Sequence, residues 1–338
     1  GRMFEDRYVS RQWYSDLLIT AKHAFNEKMI GSITVGNNLI DRRLDRVYAQ
    51  GTNFVLPDFY NLSNVSSQYA YQKTEIIRTG AMFFDAKFDI NNMIFLGATG
   101  RAETASTFGG NGKTFFYPSG NVGFVFTELA PLKDNKILSF GKIRAAVSQV
   151  GHEPEVYSSK TYYTQPFYAD GWTSGITYPY LGQTGYAVGD VLGNSNVRPE
   201  RVTSVEIGAN LKLFNNRIDL DVTWYNQKTT DALLNAPVAY SSGYAEYLKN
   251  AAVIQNRGWE IVLNTKNLQL KDFSWETELN FTANRNKVLE LAPGIENVFL
   301  GGFAGTDVRA VAGQPFGVIY GQDFMRNNDG KLIVDADG

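Results

Sequence analysis

His152, Glu153 and Glu155 are the densest run of groups that could pass a proton near neutral pH. They lie in a long connecting stretch, 151–200, with no nucleophile patterned beside them, so a hydrolytic site is not expected there. The run Gly109-Gly110-Asn111-Gly112 could cradle a phosphate only at a strand-to-helix turn, and no helix is patterned after it. The segment NNDGKLIVDADG brings Asp329, Asp335 and Asp337 within a few residues of one another. A calcium loop needs oxygen ligands at fixed offsets and a closing Glu. That Glu is absent, and the segment reads as a turn rich in Asp and Gly. The chain has no Cys and two His, His23 and His152, far apart in sequence. Disulfides, thiolate metal sites, a Cys nucleophile and a multi-His centre are thereby excluded. No catalytic residue, metal site or cofactor is assigned, and the chain is read as not an enzyme.

Binding chemistry is concentrated elsewhere. The stretch YYTQPFYADGWTSGITYPYLGQTGY, 162–186, carries Tyr162, Tyr163, Trp172, Tyr178, Tyr180 and Tyr186. Rigid amphipathic rings give large contact area at low entropic cost. They stack on sugar faces, pack against a protein lid, or close a long loop on itself. Formal net charge is −2, which argues against nucleic acid as a partner.

These residues must be held by strands. In Arg217–Asn226, Ile218, Leu220, Val222 and Trp224 alternate with Asp219, Asp221, Thr223 and Tyr225. Successive side chains of a strand point to opposite faces, so one face is greasy and the other wet. The same period of two runs through 13–25, 29–39, 74–89, 93–103, 116–128, 138–150, 204–213, 259–264 and 275–283, giving about ten strands. Helical periodicity is nowhere convincing. Short connections (26–28, 91–92, 129–137, 215–216, 269–272) alternate with long ones (40–73, 104–114, 151–200, 232–254, and from 285 onward). An up-and-down antiparallel sheet does this when its two ends face different compartments.

The greasy face meets either a protein core or a lipid bilayer. Segments of about a dozen residues exceed the roughly five or six of a soluble strand and match the nine to eleven that span a bilayer. Trp13, Trp224, Tyr225, Trp259 and Trp275 near strand ends suit interfacial belts. No run of about eighteen apolar residues predicts a transmembrane helix, and a β-barrel would leave none. The fold expected is all-β, a transmembrane up-and-down antiparallel β-barrel segment. Glu206, Asp219, Asp221, Glu276 and Glu278 are expected to face its lumen. The competing reading is a soluble all-β glycan-binding module, separable by its behaviour without detergent.

The stretch SNVRPERVTSVEIGANLKLFNNRIDLDVTWYNQKTTDALL resembles the barrel signature of TonB-dependent outer-membrane transporters of the SusC/RagA type. Asn196, Val197, Pro199, Glu200, Glu206 and Gly208 stand at the positions of that signature. IQNRGWEIVLNTKN, FSWETELNFTANRNKVLEL and GQPFGVIYGQDFMRNNDGKLIVDADG follow in the subfamily's order, and FLGATGRAETASTFGGNGKTFFYPSGNVGFVF and GKIRAAVSQVG precede it. The chain departs from the subfamily at Arg101-Ala102-Glu103, where an Arg-Arg-Asp-like run is usual. It departs again at Val150-Gly151-His152, where Thr-Gly-Asn is frequent. The resemblance implies residence in the Gram-negative outer membrane. It implies import of oligosaccharides or peptides, a SusD-like surface lipoprotein capping the barrel, and energy from the TonB complex. A TonB-type barrel acting as a surface receptor is the variant reading. The family also implies a signal peptide, a TonB-engaging segment and a plug within a barrel of about 22 strands. None is recognised in 1–338, which therefore reads throughout as part of a barrel and a piece of a longer chain. An arc with two open edges leaves backbone groups unpaired in hydrocarbon and is expected to be unstable there alone.

Overall fold

The computed structural model describes every residue except 110–112, 134, 167–175, 177, 304 and 336–338. Its strands, in chain order, are β1 (Arg2–Asn26), β2 (Met29–Phe54), β3 (Val65–Ile90), β4 (Ile94–Ala105), β5 (Thr114–Val125) and β6 (Leu138–His152). Three two-residue strands follow: β7 (Tyr163–Thr164), β8 (Ala187–Val188) and β9 (Val191–Leu192). Then come β10 (Glu200–Leu213), β11 (Ile218–Pro237), β12 (Glu246–Gln269) and β13 (Ser274–Leu291). A last group comprises β14 (Asn297–Phe303), β15 (Thr306–Val311) and β16 (Val318–Gly321). The main sheet runs β1-β2-β3-β4-β5-β6-β10-β11-β12-β13, every neighbour antiparallel, with β9 added in parallel beside β12. β14-β15-β16 form a separate small sheet, and β7 pairs with β8.

Short turns lie at one end. Asn91 and Asn92 adopt left-handed φ of 58° and 52° between β3 and β4, and Asn215 and Asn216 do so between β10 and β11. Asn tolerates that conformation at small cost, which is why it punctuates these hairpins. The longer connections lie at the opposite end. Cross-strand pairs carry face membership along the sheet: Ile19 opposite Val35, Leu96 opposite Val122, Phe124 opposite Ile143, Ile207 opposite Trp224, Leu220 opposite Leu263, and Ile261 opposite Phe281. This apolar face is uncovered. Leu17 (64%), Met82 (67%) and Phe281 (57%) are more than half exposed, which a soluble sheet does not do across ten strands. The buried core sits instead at the loop end, in two small clusters. Phe108, Val197 and Leu248 form one; Val288, Val298 and Ala310 form the other.

Three sequence boundaries are corrected. The expected connection 40–73 shrinks to 55–64, because β2 and β3 pair continuously from Met29–Ile90 up to Phe54–Val65. Greasy alternation stops at Leu39, but the hydrogen-bond ladder does not. The expected connection 232–254 shrinks likewise: β11 reaches Pro237 and β12 starts at Glu246. Residues 126–128 form a 3-10 turn rather than the end of β5, held where Thr127 accepts from the Gly141 amide at 3.1 Å.

Candidate functional site

The polar face of the main sheet is the first candidate, because alternation places all five predicted acids there. Glu206 stands opposite Tyr225, Asp221 opposite Asn210 and Val262, Asp219 opposite Lys212, Glu278 opposite Asn264, and Glu276 opposite Lys266. They do not share one environment. Arg144, from β6, donates from Nη1 and Nη2 to the two carboxylate oxygens of Asp221 at 2.9 and 2.6 Å, and to Thr223 at 2.6 Å. A planar fork on a carboxylate is the strong form of this bond. Asp219 takes Asn210 at 3.1 Å and lies 3.7 Å from Lys212. Glu206, Glu276 and Glu278 form no ion pair among the described residues. Glu206 instead accepts from Ser204 at 3.0 Å, and Glu278 from Asn280 at 3.0 Å.

Two hollows open on this face. One of about 370 Å³ is lined by Glu206, Thr223, Tyr225, Gln227, Glu260 and Asn284. The other, of about 450 Å³ at the turn end, has Asp219, Glu276 and Glu278 among its walls. Tyr225 therefore belongs to the polar face rather than to an interfacial belt, and its hydroxyl donates to Asn284 on β13 at 3.2 Å. It crosses Gly258, where any side chain would collide with it. Asp85, on the same face, accepts from Lys87 at 2.7 Å through one oxygen, while its other, buried oxygen has no partner among the described residues.

The loop end carries the second candidate. Tyr162 lines a cavity of about 720 Å³ between the 154–162 segment, the ends of β11 and β12, and β14. Its ring meets Tyr157 edge-on at 6.1 Å. Tyr163 is 73% exposed on β7, and Tyr186 is exposed just before β8. Tyr178 packs over Gly185, and Tyr180 bridges Gln183, so these two close their own turn. Trp172 lies outside the described residues. At the opposite terminus, Asn327 accepts from the amides of Asp329 and Lys331 at 3.0 and 2.9 Å, which is a closed turn. Asp337 lies outside the described residues, and no three His, Asp or Glu side chains converge among those described.

Sequence reading missed a third group. β1, β2 and β3 continue past the apolar face, and there the polar face bears Phe4, Tyr8, Tyr48, Tyr69 and Tyr71 around Arg46. Arg46 donates to Asp6 at 2.9 and 2.8 Å and lies over the rings of Tyr8 (5.0 Å), Tyr71 (5.3 Å) and Tyr48 (5.8 Å). Tyr48 stacks on Tyr71 at 5.2 Å and on Phe4 at 6.2 Å. A guanidinium among ring faces is attractive, and the rings are aligned as a platform. The available signal was QYAYQK, 68–73, whose tyrosines are spaced for one face.

Comparison with known proteins converges on one family. Residues 2–323 match the family described as "TonB dependent receptor-like, beta-barrel". TonB-dependent receptor P26 of Formosa agariphila is 26% identical over 83% of this chain and 28% of its own length. TonB-dependent receptor SusC of Bacteroides thetaiotaomicron is 26% identical over 67% of this chain and 22% of its own length. The chain thus spans about a quarter of these relatives. The structure of the RagAB peptide importer in its closed-closed state superposes with a TM-score of 0.77 at 20% identity, over 99% of this chain and 38% of that one. The RagAB peptide transporter gives 0.75 at 20% identity, over 93% and 34%. With an antiparallel sheet whose apolar face is bare across ten strands and whose other face is polar, the chain belongs to the TonB-dependent receptor β-barrel family of Gram-negative outer-membrane proteins and forms a segment of its transmembrane wall.

Proposed function

We propose that this chain is part of an outer-membrane importer that takes up oligosaccharides or peptides, capped by a SusD-like surface lipoprotein and driven by the TonB complex. The observation that carries the reading is the ring platform around Arg46. It stands on the polar face, beyond the end of the apolar band at Leu39, where an incoming solute would meet the barrel mouth. Its flat rings suit sugar faces and peptide side chains alike, and Asp6 with Arg46 supplies polar contacts at its centre. The likeness to the RagAB peptide importer favours the peptide class. The exposed rings of Tyr162, Tyr163 and Tyr186, with Tyr178, Tyr180 and Trp172 from the same stretch of sequence, are assigned to the contact with ligand or lipoprotein.

Below the platform, Glu206, Glu276 and Glu278 and the free oxygen of Asp85 are assigned to docking a plug in the lumen. Asp219 and Asp221 face the same lumen, but their partners come from within the sheet. The TonB complex would engage a segment outside 1–338.

The test is uptake by cells carrying the full-length protein, supplied separately with labelled oligosaccharides and labelled peptides. The expected result is accumulation of one class, abolished when the TonB complex is removed, with a surface lipoprotein co-purifying from detergent. Uptake of neither class, with no lipoprotein recovered, would contradict the proposal.

A further inference from the structure

The apolar face ends differently at its two sides, and the difference is electrostatic. On β1–β3, the residues just beyond the band are charged but ion-paired. Arg11 and Arg43 meet Asp45 at 3.1 and 2.9 Å, and Arg78 meets Asp41 at 2.8 Å. On β11–β13 the register builds another arrangement. Trp224 stands opposite Trp259, and Trp259 opposite Ala283. The next row towards the loop end is Asn226, Arg257 and Arg285, and the row after it is Lys228, Gln255 and Lys287. No bulge intervenes, so all six side chains share the face of the Trp residues. Four of them are cations, all exposed. None makes an ion pair or side-chain hydrogen bond among the described residues, and Glu290, further towards the loop end, reaches none of them.

Neighbouring strands lie about 4.8 Å apart and alternate residues about 6.8 Å apart, so the four cations occupy a patch of roughly 7 by 10 Å. Arg257 and Arg285 are directly cross-strand, a placement in which like charges oppose pairing. An arrangement that repels itself, set immediately beyond an apolar band and its tryptophans, is satisfied by an anion approaching from the lipid side.

We infer that Lys228, Arg257, Arg285 and Lys287 seat the phosphate of a membrane lipid headgroup at the loop-end boundary of the bilayer. Arg257 and Arg285 present planar forks that match phosphate oxygens. Lys228 and Lys287 add point charges on either side. The lipid's acyl chains would continue down over Trp259 and Phe281, which are exposed on the same face, and over the half-buried Ile261. Charge complementarity and continuity with the apolar band together select a lipid over a soluble anion, since a free phosphate gains nothing from the band. The inference depends on the transmembrane wall and not on what the barrel transports.

The experiment compares full-length protein, wild type and R257Q/R285Q, in neutral maltoside micelles titrated with phosphatidic acid, with phosphatidylcholine, or with inorganic phosphate. Binding is read by native mass spectrometry and by the temperature at which the folded barrel loses its fast gel mobility. Wild type is expected to bind phosphatidic acid at least about tenfold more tightly than the variant and to gain thermal stability from it. Without lipid, the variant is expected to melt higher than wild type, because the repulsion is gone. R257K/R285K, which keeps the charge, is expected to retain most of the binding, and K212Q on the polar face to retain all of it. Equal phosphatidic acid binding by wild type and R257Q/R285Q would overturn the inference. So would inorganic phosphate stabilising wild type as well as phosphatidic acid does, since the site would then be one for a free anion. If R257Q/R285Q does not fold, loss of binding in K228Q/K287Q decides in favour and its retention against.

Discussion

Arg144 crosses from β6 to β11 over Gly208. A Cβ at Gly208 would lie 2.8 Å from Arg144 Nε, so only a bare backbone on β10 lets the guanidinium lie flat and reach Asp221 two strands away. The Glu-x-Gly spacing of Glu206 and Gly208 thus has a mechanical meaning. The glycine is the saddle for a cross-sheet fork that ties three strands on the polar face.

Substituting Gly208 should therefore act through Arg144. G208V is expected to displace the fork and destabilise the folded wall by about 1–3 kcal/mol, the cost of breaking a partly buried charged hydrogen-bond pair. D221N should have a similar effect, and the double variant should lose less than the sum, because both remove the same interaction. Thermal loss of gel mobility of the full-length protein measures this. Strict additivity would show that Gly208 and Asp221 act separately.

Adjacent residues on one strand should differ sharply in tolerance. Ile261 lies on the apolar face, and Val262 stands opposite Asp221 on the polar face. I261K places an ammonium in lipid and is expected to cost roughly 2–4 kcal/mol if near the midplane. V262K should be tolerated, with its amine beside a carboxylate. Assembly yield and melting in outer membranes check the pair, and equal tolerance would contradict the facing of β12.

The Arg46 platform should govern capture without governing assembly. An aligned aromatic contact contributes about 0.5–1.5 kcal/mol, so Y48A and Y71A are each expected to weaken ligand capture by roughly twofold to tenfold. Gel mobility of the folded barrel should be unchanged, since both positions lie beyond the bilayer. Equilibrium binding of the transported class to purified protein measures it.

Asp307 supplies a pH signature outside the membrane wall. Arg309 donates to both its oxygens at 2.7 Å, which holds the carboxyl below its ordinary value. A depressed folded pKa means that the stabilisation is fully present above the unfolded value, about 3.9, and is lost as pH falls through the folded one. Protection of β15 amides from hydrogen exchange, corrected for intrinsic rates, should stay level from pH 7 to about 5 and decline as pH falls through about 4 and below. D307N should flatten that decline.

The sequence made the wall legible where lipid disciplines it. Ile218, Leu220, Val222 and Trp224 read as one greasy face because hydrocarbon admits no charge there, and their pairing with β10 and β12 has that facing. The same signal misjudged strand length. It ended β2 at Leu39, although the strand runs to Phe54, because beyond the bilayer both faces are wet while backbone pairing continues unchanged. Hydrophobic alternation measured the membrane rather than the strand. The Arg46 platform escaped for that reason, lying in what read as loop. Asp221 was legible as a polar-face acid, but its partner was not, since Arg144 stands 77 residues away and meets it only through the register of β6, β10 and β11.

That opposite faces of one sheet meet lipid and lumen is tested most directly by nitroxide scanning of β12. The chain contains no Cys, so single labels from position 259 to 264 can be placed one at a time in the full-length protein, with any Cys elsewhere replaced, in bilayers. Labels at Trp259, Ile261 and Leu263 should be relaxed by oxygen dissolved in the lipid. Those at Glu260, Val262 and Asn264 should respond to a water-soluble nickel chelate or be shielded from both agents. A flat profile, or one with the two sets exchanged, would contradict the account.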